Sequence, residues 1–254
     1  MSDPNEEIPE LNEPASQKRS RRFPSLAEAI VVLLIIGVSV ALLLPSVRSA
    51  RPTTNRIACK NNLKQIGLAL HLYHEKYESF PPAFTTDATG RPLHSWRVLL
   101  LPFLEQQALY EQIDLTKPWD DPAHAEVRKV ALPFFHCPSN GADPLLTNYV
   151  AIVGDDFAFS TKGPRQLSDF KDEKASTIIV METLNGAGVH WMDPRDAGEG
   201  DFLSLTRESK TPHPQAVMVL MVDGAVRTLG MDLIPTEYRR AWLTIDGGEI
   251  LSNF

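Results

Sequence analysis

The chain has 254 residues, with 25 lysines and arginines against 32 aspartates and glutamates, so its formal net charge is −7 at pH 7. This length allows one globular domain with a sizeable core beside a tail and an anchor. The acidic balance gives no support to nucleic acid as a partner.

The first 47 residues are predicted to be a tail followed by a membrane span. Residues 1–22 are rich in Pro, Glu, Asn and Ser, which is typical of a disordered tail, and end in a basic cluster. Residues 23–47 carry one charged side chain, Glu28. As a helix, the 21 residues from Pro24 to Leu44 would extend about 31 Å and match a bilayer core of about 30 Å. We therefore predict a transmembrane helix over residues 23–47.

Two other interpretations of this segment stay open. A cleaved signal peptide has a shorter apolar core, and the small-residue site after the run, Arg48-Ser49-Ala50, contains an arginine. A twin-arginine signal is suggested by Arg21-Arg22, but Phe23 follows directly, where another residue usually intervenes. A retained anchor is the preferred interpretation.

Glu28 has a structural explanation at the start of this helix. Ser25 and Glu28 form an S-x-x-E capping box directly before the apolar run, in which each side chain accepts a hydrogen bond from the other residue's amide. A carboxylate in the first turn also suits the helix dipole. The pattern predicts that the helix begins here.

The same segment resembles the N-terminal signature of type IV prepilins and pseudopilins. A Glu precedes a long apolar helix, and Pro45 follows Glu28 by seventeen residues. The resemblance implies a Glu that pairs with the freed N-terminal amine of a neighbouring subunit. However, Phe23 stands where the prepilin peptidase expects Gly, and Pro24 stands at the new N-terminus. Since both should impair cleavage, we expect an uncleaved anchor with Glu28 mainly as a cap.

Seven further blocks follow in order: residues 59–84, 95–114, 135–140, 147–154, 177–196, 213–224 and 243–249. Together they resemble the prepilin-type family that carries the domain of unknown function numbered 1559, which is expanded in planctomycetes. The resemblance covers nearly all of residues 23–254. It implies a pilin-like architecture and a location, and supplies no established activity.

The residues themselves also predict an α+β fold of the pilin-like type. Residues 55–78 are predicted to be helical, with an apolar stripe, and Pro45 and Pro52 predict a kink or interruption before them. Runs rich in Val, Ile and Thr in the second half predict strands. We expect a long N-terminal helix, partly transmembrane, packed on an antiparallel sheet within a domain of residues 48–254. The stripe consists of Leu63, Ile66, Leu70, Tyr73 and Tyr77.

His213 and Asp223-Gly224 match a His-x9-Asp-Gly signature of this family. Nine extended residues separate the two ends by roughly 30 Å, so the side chains cannot meet along one straight strand. We interpret His213 as the start of a strand and Asp223-Gly224 as a hairpin turn, since Gly tolerates positive φ. A catalytic or metal-binding pair is the less favoured interpretation.

No catalytic, metal or cofactor site is predicted. His71 and His74 share a helix face, but no further ligand in the sequence completes a metal site with them. The acidic segment of residues 191–201 lacks the ligand spacing of an EF-hand, although weak calcium binding there stays open. Nucleophile and phosphate-binding motifs are absent from the sequence.

The oxidation state expected for the two cysteines, Cys59 and Cys137, depends on the compartment of the domain. Outside the cytoplasm they are expected to form a disulfide, and inside they would stay thiols. The numbers of basic residues before and after the span are nearly equal, so the positive-inside rule does not decide the orientation. The cluster at Arg21-Arg22 and the prepilin resemblance favour a cytoplasmic N-terminus and an extracytoplasmic C-terminal domain.

We therefore expect a non-enzymatic, pseudopilin-like structural or interaction protein that crosses the cytoplasmic (inner) membrane once. Its expected partners are the lipid bilayer and, through the N-terminal helix, other pilin-like subunits. The alternative is an extracytoplasmic protein that binds a carbohydrate or solute. Its candidate stacking surfaces are Trp96, Trp119 and Trp191, although tryptophan is more often a core residue.

Overall fold

The computed structural model describes residues 25–141, 143–172, 176–230 and 236–247, and side chains within these ranges except those of residues 41–52, 236 and 237. The chain divides into two compact units, Met1–Ser49 and Ala50–Phe254. The predicted tail of residues 1–22, together with Phe23 and Pro24, lies outside the described residues.

The first helix, α1, comprises Leu26–Tyr77. Its first turn is capped reciprocally: the amide of Ser25 donates to Oε2 of Glu28 at 2.8 Å, and the amide of Glu28 donates to Oγ of Ser25 at 3.4 Å. A kink or an interruption was expected at Pro45 and Pro52; both residues lie inside this helix, so the chain is not interrupted there.

The first unit carries exposed apolar side chains on α1. Ten large apolar residues between Leu26 and Val40 are 49–83% exposed. Among the residues described, the structure contains no helix that is both long and apolar enough to cross a membrane. The predicted span of residues 23–47 extends at both ends beyond the side chains that the structure describes. The exposed residues are Leu26, Ile30, Val31, Val32, Leu33, Leu34, Ile35, Ile36, Val38 and Val40.

In the part of the second unit that the structure describes, the other helices are short. They are α2 (Trp96–Leu100), α3 (Gln107–Tyr110), α4 (Glu199–Leu203) and α5 (Thr236–Arg239). Turns of 3-10 helix lie at Leu101–Leu104, Pro122–His124, Val127–Lys129, Pro133–Phe135, Leu167–Asp169 and Arg240–Trp242.

Within the described residues, the strands form one four-stranded sheet and two small ribbons, and every pairing between these strands is antiparallel. The main sheet has the order β4-β5-β7-β8. The predicted α+β class with antiparallel strands is therefore confirmed. The strands are β1 (Phe84–Thr86), β2 (Pro92–Ser95), β3 (Leu146–Thr147), β4 (Tyr149–Ala151), β5 (Ile178–Glu182), β6 (Val189–His190), β7 (Ala216–Met221) and β8 (Val226–Gly230).

The main sheet is covered on both faces. On one face, Tyr149, Met218 and Leu220 share a core with the α1 residues Leu63 and Ile66. Side chains at the alternate strand positions pack into a second core, as expected for a strand period of two. This second core includes Val150, Met181, Val217, Val219, Phe202 and Trp242.

The predicted apolar stripe of α1 is buried over most of its length. Leu63, Ile66 and Leu70 are at most 1% exposed. Tyr77, in the last turn, is 51% exposed, and its ring packs beside Tyr73, with centroids 4.5 Å apart. The helix thus leaves the core at its C-terminal end.

A buried cysteine, histidine and glutamate cluster

Four buried side chains converge where α1 meets the main sheet. Their ligand-type atoms all lie within 4.8 Å of one another. None of the four residues is more than 2% exposed. We call this the buried cluster; it consists of Cys59 on α1, Cys137 in the loop before β3, Glu182 at the end of β5 and His213 before β7.

Cys59 and Cys137 form a disulfide, so the predicted pairing is confirmed. The loop that carries Cys137 is also held on α1 by polar contacts: Nδ2 of Asn62 donates to the carbonyls of Pro133 at 3.0 Å and His136 at 2.9 Å. The carbonyl of Pro133 also accepts from the amide of His136 at 3.2 Å, so Asn62 adds a second hydrogen bond to that carbonyl. The loop is therefore fixed on the helix by covalent and polar links together.

His213 lies between the disulfide and Glu182. Its Nε2 atom is 3.3 Å from Oε1 of Glu182 and 3.9 Å from Sγ of Cys137. The other carboxylate oxygen, Oε2, accepts a hydrogen bond of 2.9 Å from the amide of Met218 in β7. The carboxylate is thus oriented by the sheet, with one oxygen directed at the imidazole.

Tyr149 closes the cluster from β4, where it is directly paired with Glu182 of β5. Burial raises the pKa of the Tyr149 phenol, and the negative charge of Glu182 raises it further. The phenol therefore keeps its proton, and it donates to the carbonyl of Cys59 at 3.2 Å. Through this hydrogen bond, β4 also contacts α1 at Cys59.

While the two sulfurs are joined, the cluster contains no thiolate nucleophile, and burial closes it to substrates. The arrangement links α1, the loop before β3 and two strands. In the disulfide form the cluster is a structural cross-link. The atoms that it brings together are two sulfurs, one imidazole nitrogen and one carboxylate oxygen.

The Asp223-Gly224 pair lies at the opposite end of β7 from His213, in the turn to β8. Gly224 has φ +84°, and Oδ1 of Asp223 accepts from the amide of Ala225 at 2.8 Å. His213 and Asp223 are therefore not brought together.

His71 and His74 do not converge on a common ligand set in the described residues. Nε2 of His74 accepts from the amide of Leu167 at 3.2 Å. The ring of His71 packs against Phe80, with centroids 5.9 Å apart. Both side chains serve the packing between α1 and its neighbouring loops.

Two of the three candidate stacking tryptophans are core residues. Trp96 and Trp191 are at most 1% exposed. Their indole N–H groups donate to Oδ2 of Asp196 and to the carbonyl of Val130, both at 3.1 Å. Neither ring offers a face to a ligand. Trp119 is half-buried and stacks on His190, with centroids 5.3 Å apart.

The acidic segment of residues 191–201 places two carboxylates against arginines. Oδ1 of Asp196 lies 2.7 Å from Nη1 of Arg97, and Oδ2 of Asp193 accepts from Nε of Arg195 at 2.8 Å. Burial raises the pKa of Asp196, while Arg97 and the other hydrogen-bond donors oppose that shift. These oxygens are already engaged within the protein.

Glu182 is not among the residues predicted from the sequence, although it is a partner of His213 and of the disulfide. It ends the run Ile-Ile-Val-Met-Glu, where a terminal carboxylate is typical of a solvent-exposed strand end. Only the pairing of β5 with β7 brings it to His213, 31 residues further along the chain.

Comparison with known proteins finds a family match over part of the chain. Residues 48–156 match the family described as "Protein of unknown function (DUF1559)". The match supports the resemblance to the domain numbered 1559, and it includes Cys59 and Cys137. Neither the curated proteins nor the solved structures contain a match to this chain.

Proposed function

We propose that this chain is a non-enzymatic, pseudopilin-like structural protein that is anchored in the cytoplasmic membrane by residues 23–47 and displays its C-terminal domain outside the cytoplasm. The observation that carries the proposal is the apolar exposure of α1 between Leu26 and Val40. A helix that is apolar on every side is stable where lipid or other apolar helices surround it.

The disulfide supports an extracytoplasmic domain. Such bonds persist in oxidising compartments and are rare in the cytosol. Cys59 lies near the start of the second unit, and its bond to Cys137 joins the part of α1 within that unit to the loop before β3. The proposed topology places this bond outside the membrane.

The helix cap supports an unprocessed anchor. Glu28 and Ser25 are hydrogen-bonded reciprocally, so the carboxylate has a partner within its own chain. This role requires no cleavage before Pro24 and no free amine from a neighbouring subunit. Lateral association through the apolar helix stays part of the proposal.

The test is alkaline-carbonate extraction of membranes that contain the full chain. We expect the wild-type chain to stay in the membrane pellet and the double variant Leu33→Lys, Ile36→Lys to be released, because charges at the centre of a span are costly. Leu68→Lys is the matched control, since Leu68 is an exposed apolar residue of α1 in the second unit and is 62% exposed. Release of the wild-type chain would refute the anchor.

Intact mass of the extracted protein tests processing and compartment together. We expect the full length, with both cysteines protected from alkylation until reduction. A methylated chain beginning at Pro24 would refute the uncleaved anchor and establish a prepilin substrate. Two freely alkylated cysteines would refute the extracytoplasmic placement.

Binding of a small carbohydrate or solute is the second candidate, and a cleft supports it. This cleft has a volume of about 300 Å³ and lies on the face of the sheet opposite α1, with Asp201 and Ser204 among its lining residues. Small-molecule sites begin at about this size. A saturable rise in melting temperature with a sugar, lost in Ala187→Trp and kept in Trp119→Ala, would support it.

A further inference from the structure

We propose that the buried cluster is a redox-gated binding site for Zn²⁺, with the ligands Cys59, Cys137, Glu182 and His213. The disulfide form excludes the metal, and the dithiol form binds it. This inference goes beyond the proposed function, because it concerns the domain in a reducing environment.

The distances fit a tetrahedral site once the sulfurs separate. Zinc bonds to sulfur at about 2.3 Å and to nitrogen or oxygen at about 2.0 Å, so neighbouring ligand atoms are spaced by about 3.3–3.8 Å. Nε2 of His213 is already 3.3 Å from Oε1 of Glu182 and 3.9 Å from Sγ of Cys137. The imidazole and the carboxylate therefore need little movement.

A structural disulfide does not explain the two polar members of the cluster. Glu182 is fully buried and His213 is 2% exposed. Burial of an ionisable pair costs several kcal/mol of desolvation, and apolar residues would pack against a disulfide without that cost. Ligation of a cation supplies a reason for both groups at this position.

The surroundings of the cluster orient the ligands as in known metal sites. The amide of Met218 holds Oε2 of Glu182, which leaves Oε1 free to face the imidazole. The amide of Cys137 donates to Oδ1 of Asn148 at 3.0 Å and fixes the backbone that carries the sulfur. Such outer contacts commonly set ligand direction and affinity.

The gating step is a thiol–disulfide exchange. An external dithiol reduces the Cys59–Cys137 bond when the loop that carries Cys137 opens locally and exposes the sulfurs: the S–S bond breaks, two S–H bonds form, and the dithiol becomes a disulfide. Zn²⁺ then displaces both protons and binds the two thiolates. Oxidation by an external disulfide reverses the exchange and releases the metal. Cys59 and Cys137 are linked in both forms, by the S–S bond in the oxidised form and through Zn²⁺ in the reduced form. The loop before β3 therefore stays attached to α1 in an oxidising and in a reducing compartment.

The test uses the full-length chain in detergent, reduced with a phosphine that does not chelate metals, and Co²⁺ as the probe. We expect one Co²⁺ per chain, a thiolate-to-cobalt charge-transfer band in the near ultraviolet, intense tetrahedral d–d bands in the visible, and displacement by Zn²⁺. The oxidised chain should show none of these signals. Absence of the bands in the reduced chain would overturn the proposal.

Variants assign the ligands. Glu182→Gln and His213→Gln should each weaken Co²⁺ binding about tenfold or more, the smallest loss typical of a metal-site partner. His71→Gln is the matched control, since His71 lies beside Gly224 at the opposite end of β7. Equal affinities in all three variants would overturn the proposal.

X-ray absorption of the reduced, zinc-loaded wild-type chain gives a readout that does not depend on the folding of any variant. Two sulfur and two nitrogen or oxygen neighbours at tetrahedral distances are expected. A coordination shell without two sulfurs would overturn the assignment.

Discussion

Arg97 and Asp196 form an ion pair in which Nη1 and Oδ1 are 2.7 Å apart and neither side chain is more than 1% exposed. The same carboxylate accepts from the amide of Ala151 at 2.8 Å and from the indole of Trp96 at 3.1 Å. The pair therefore ties α2 and β4 to the loop that follows β6.

Removal of one partner of this pair should be strongly destabilising. In Arg97→Met, Asp196 stays buried without its cation, and the free energy of unfolding should fall by about 3–5 kcal/mol. Urea unfolding of the full chain, followed by tryptophan fluorescence, measures the change. Lys129→Met is the control, because the side chains of Lys129 and its partner Glu126 are 67% and 84% exposed and the loss of this pair should cost at most about 1 kcal/mol. Equal losses in both variants would contradict the prediction.

Acid should weaken the fold through two histidines. Burial lowers the pKa of His94 and of His190 below the usual value of about 6.5. Below about pH 6.5 the unfolded chain therefore binds more protons than the folded chain, and the free energy of unfolding falls as the pH falls. Stability measured between about pH 7.5 and about pH 5 should depend less on pH in the double variant His94→Gln, His190→Gln. If the free energy of unfolding of the double variant depends on pH as strongly as that of the wild-type chain, the prediction that these two histidines cause the acid sensitivity is wrong.

Loss of the disulfide should lower stability by a predictable amount. The bond joins residues 78 positions apart, for which the chain-entropy estimate is about 4.5 kcal/mol at most. The metal-free double variant Cys59→Ala, Cys137→Ala should lose up to that amount in urea unfolding relative to the oxidised chain. An unchanged unfolding midpoint would show that the loop is held by its polar contacts alone.

Gly67 marks a close approach between α1 and β7. A Cβ atom at this position would lie 2.8 Å from Cδ1 of Leu220, a fully buried side chain. Gly67→Ala should therefore lower the free energy of unfolding by about 1–3 kcal/mol through overpacking. Gly200→Ala in α4 meets no atom within 4 Å and should be neutral or slightly stabilising. Thermal unfolding of the two variants separates a packing effect from helix propensity.

The sequence predicts features that are set by residues close together in the chain. It also predicts a pairing when the chain contains just two residues of the type required. The period of the apolar residues places Leu63, Ile66 and Leu70 on the buried face of α1. The disulfide is predicted because the chain has two cysteines, on the condition that the domain lies outside the cytoplasm. The ion pair of Arg97 and Asp196 spans 99 residues and has no local signal. Partners of this kind appear only when the tertiary fold brings distant segments together.

The segment between His213 and Gly224 has a consequence for how this sequence can change. At one end His213 lies beside the disulfide to Cys59, and at the other Gly224 lies against His71, so both ends are set by the same helix. The sheet buries β7 on both faces, and a shift of one residue would exchange those faces. The number of residues between His213 and Asp223-Gly224 is therefore fixed by the fold. Insertions and deletions can be accommodated in the loops around β7, but not within β7.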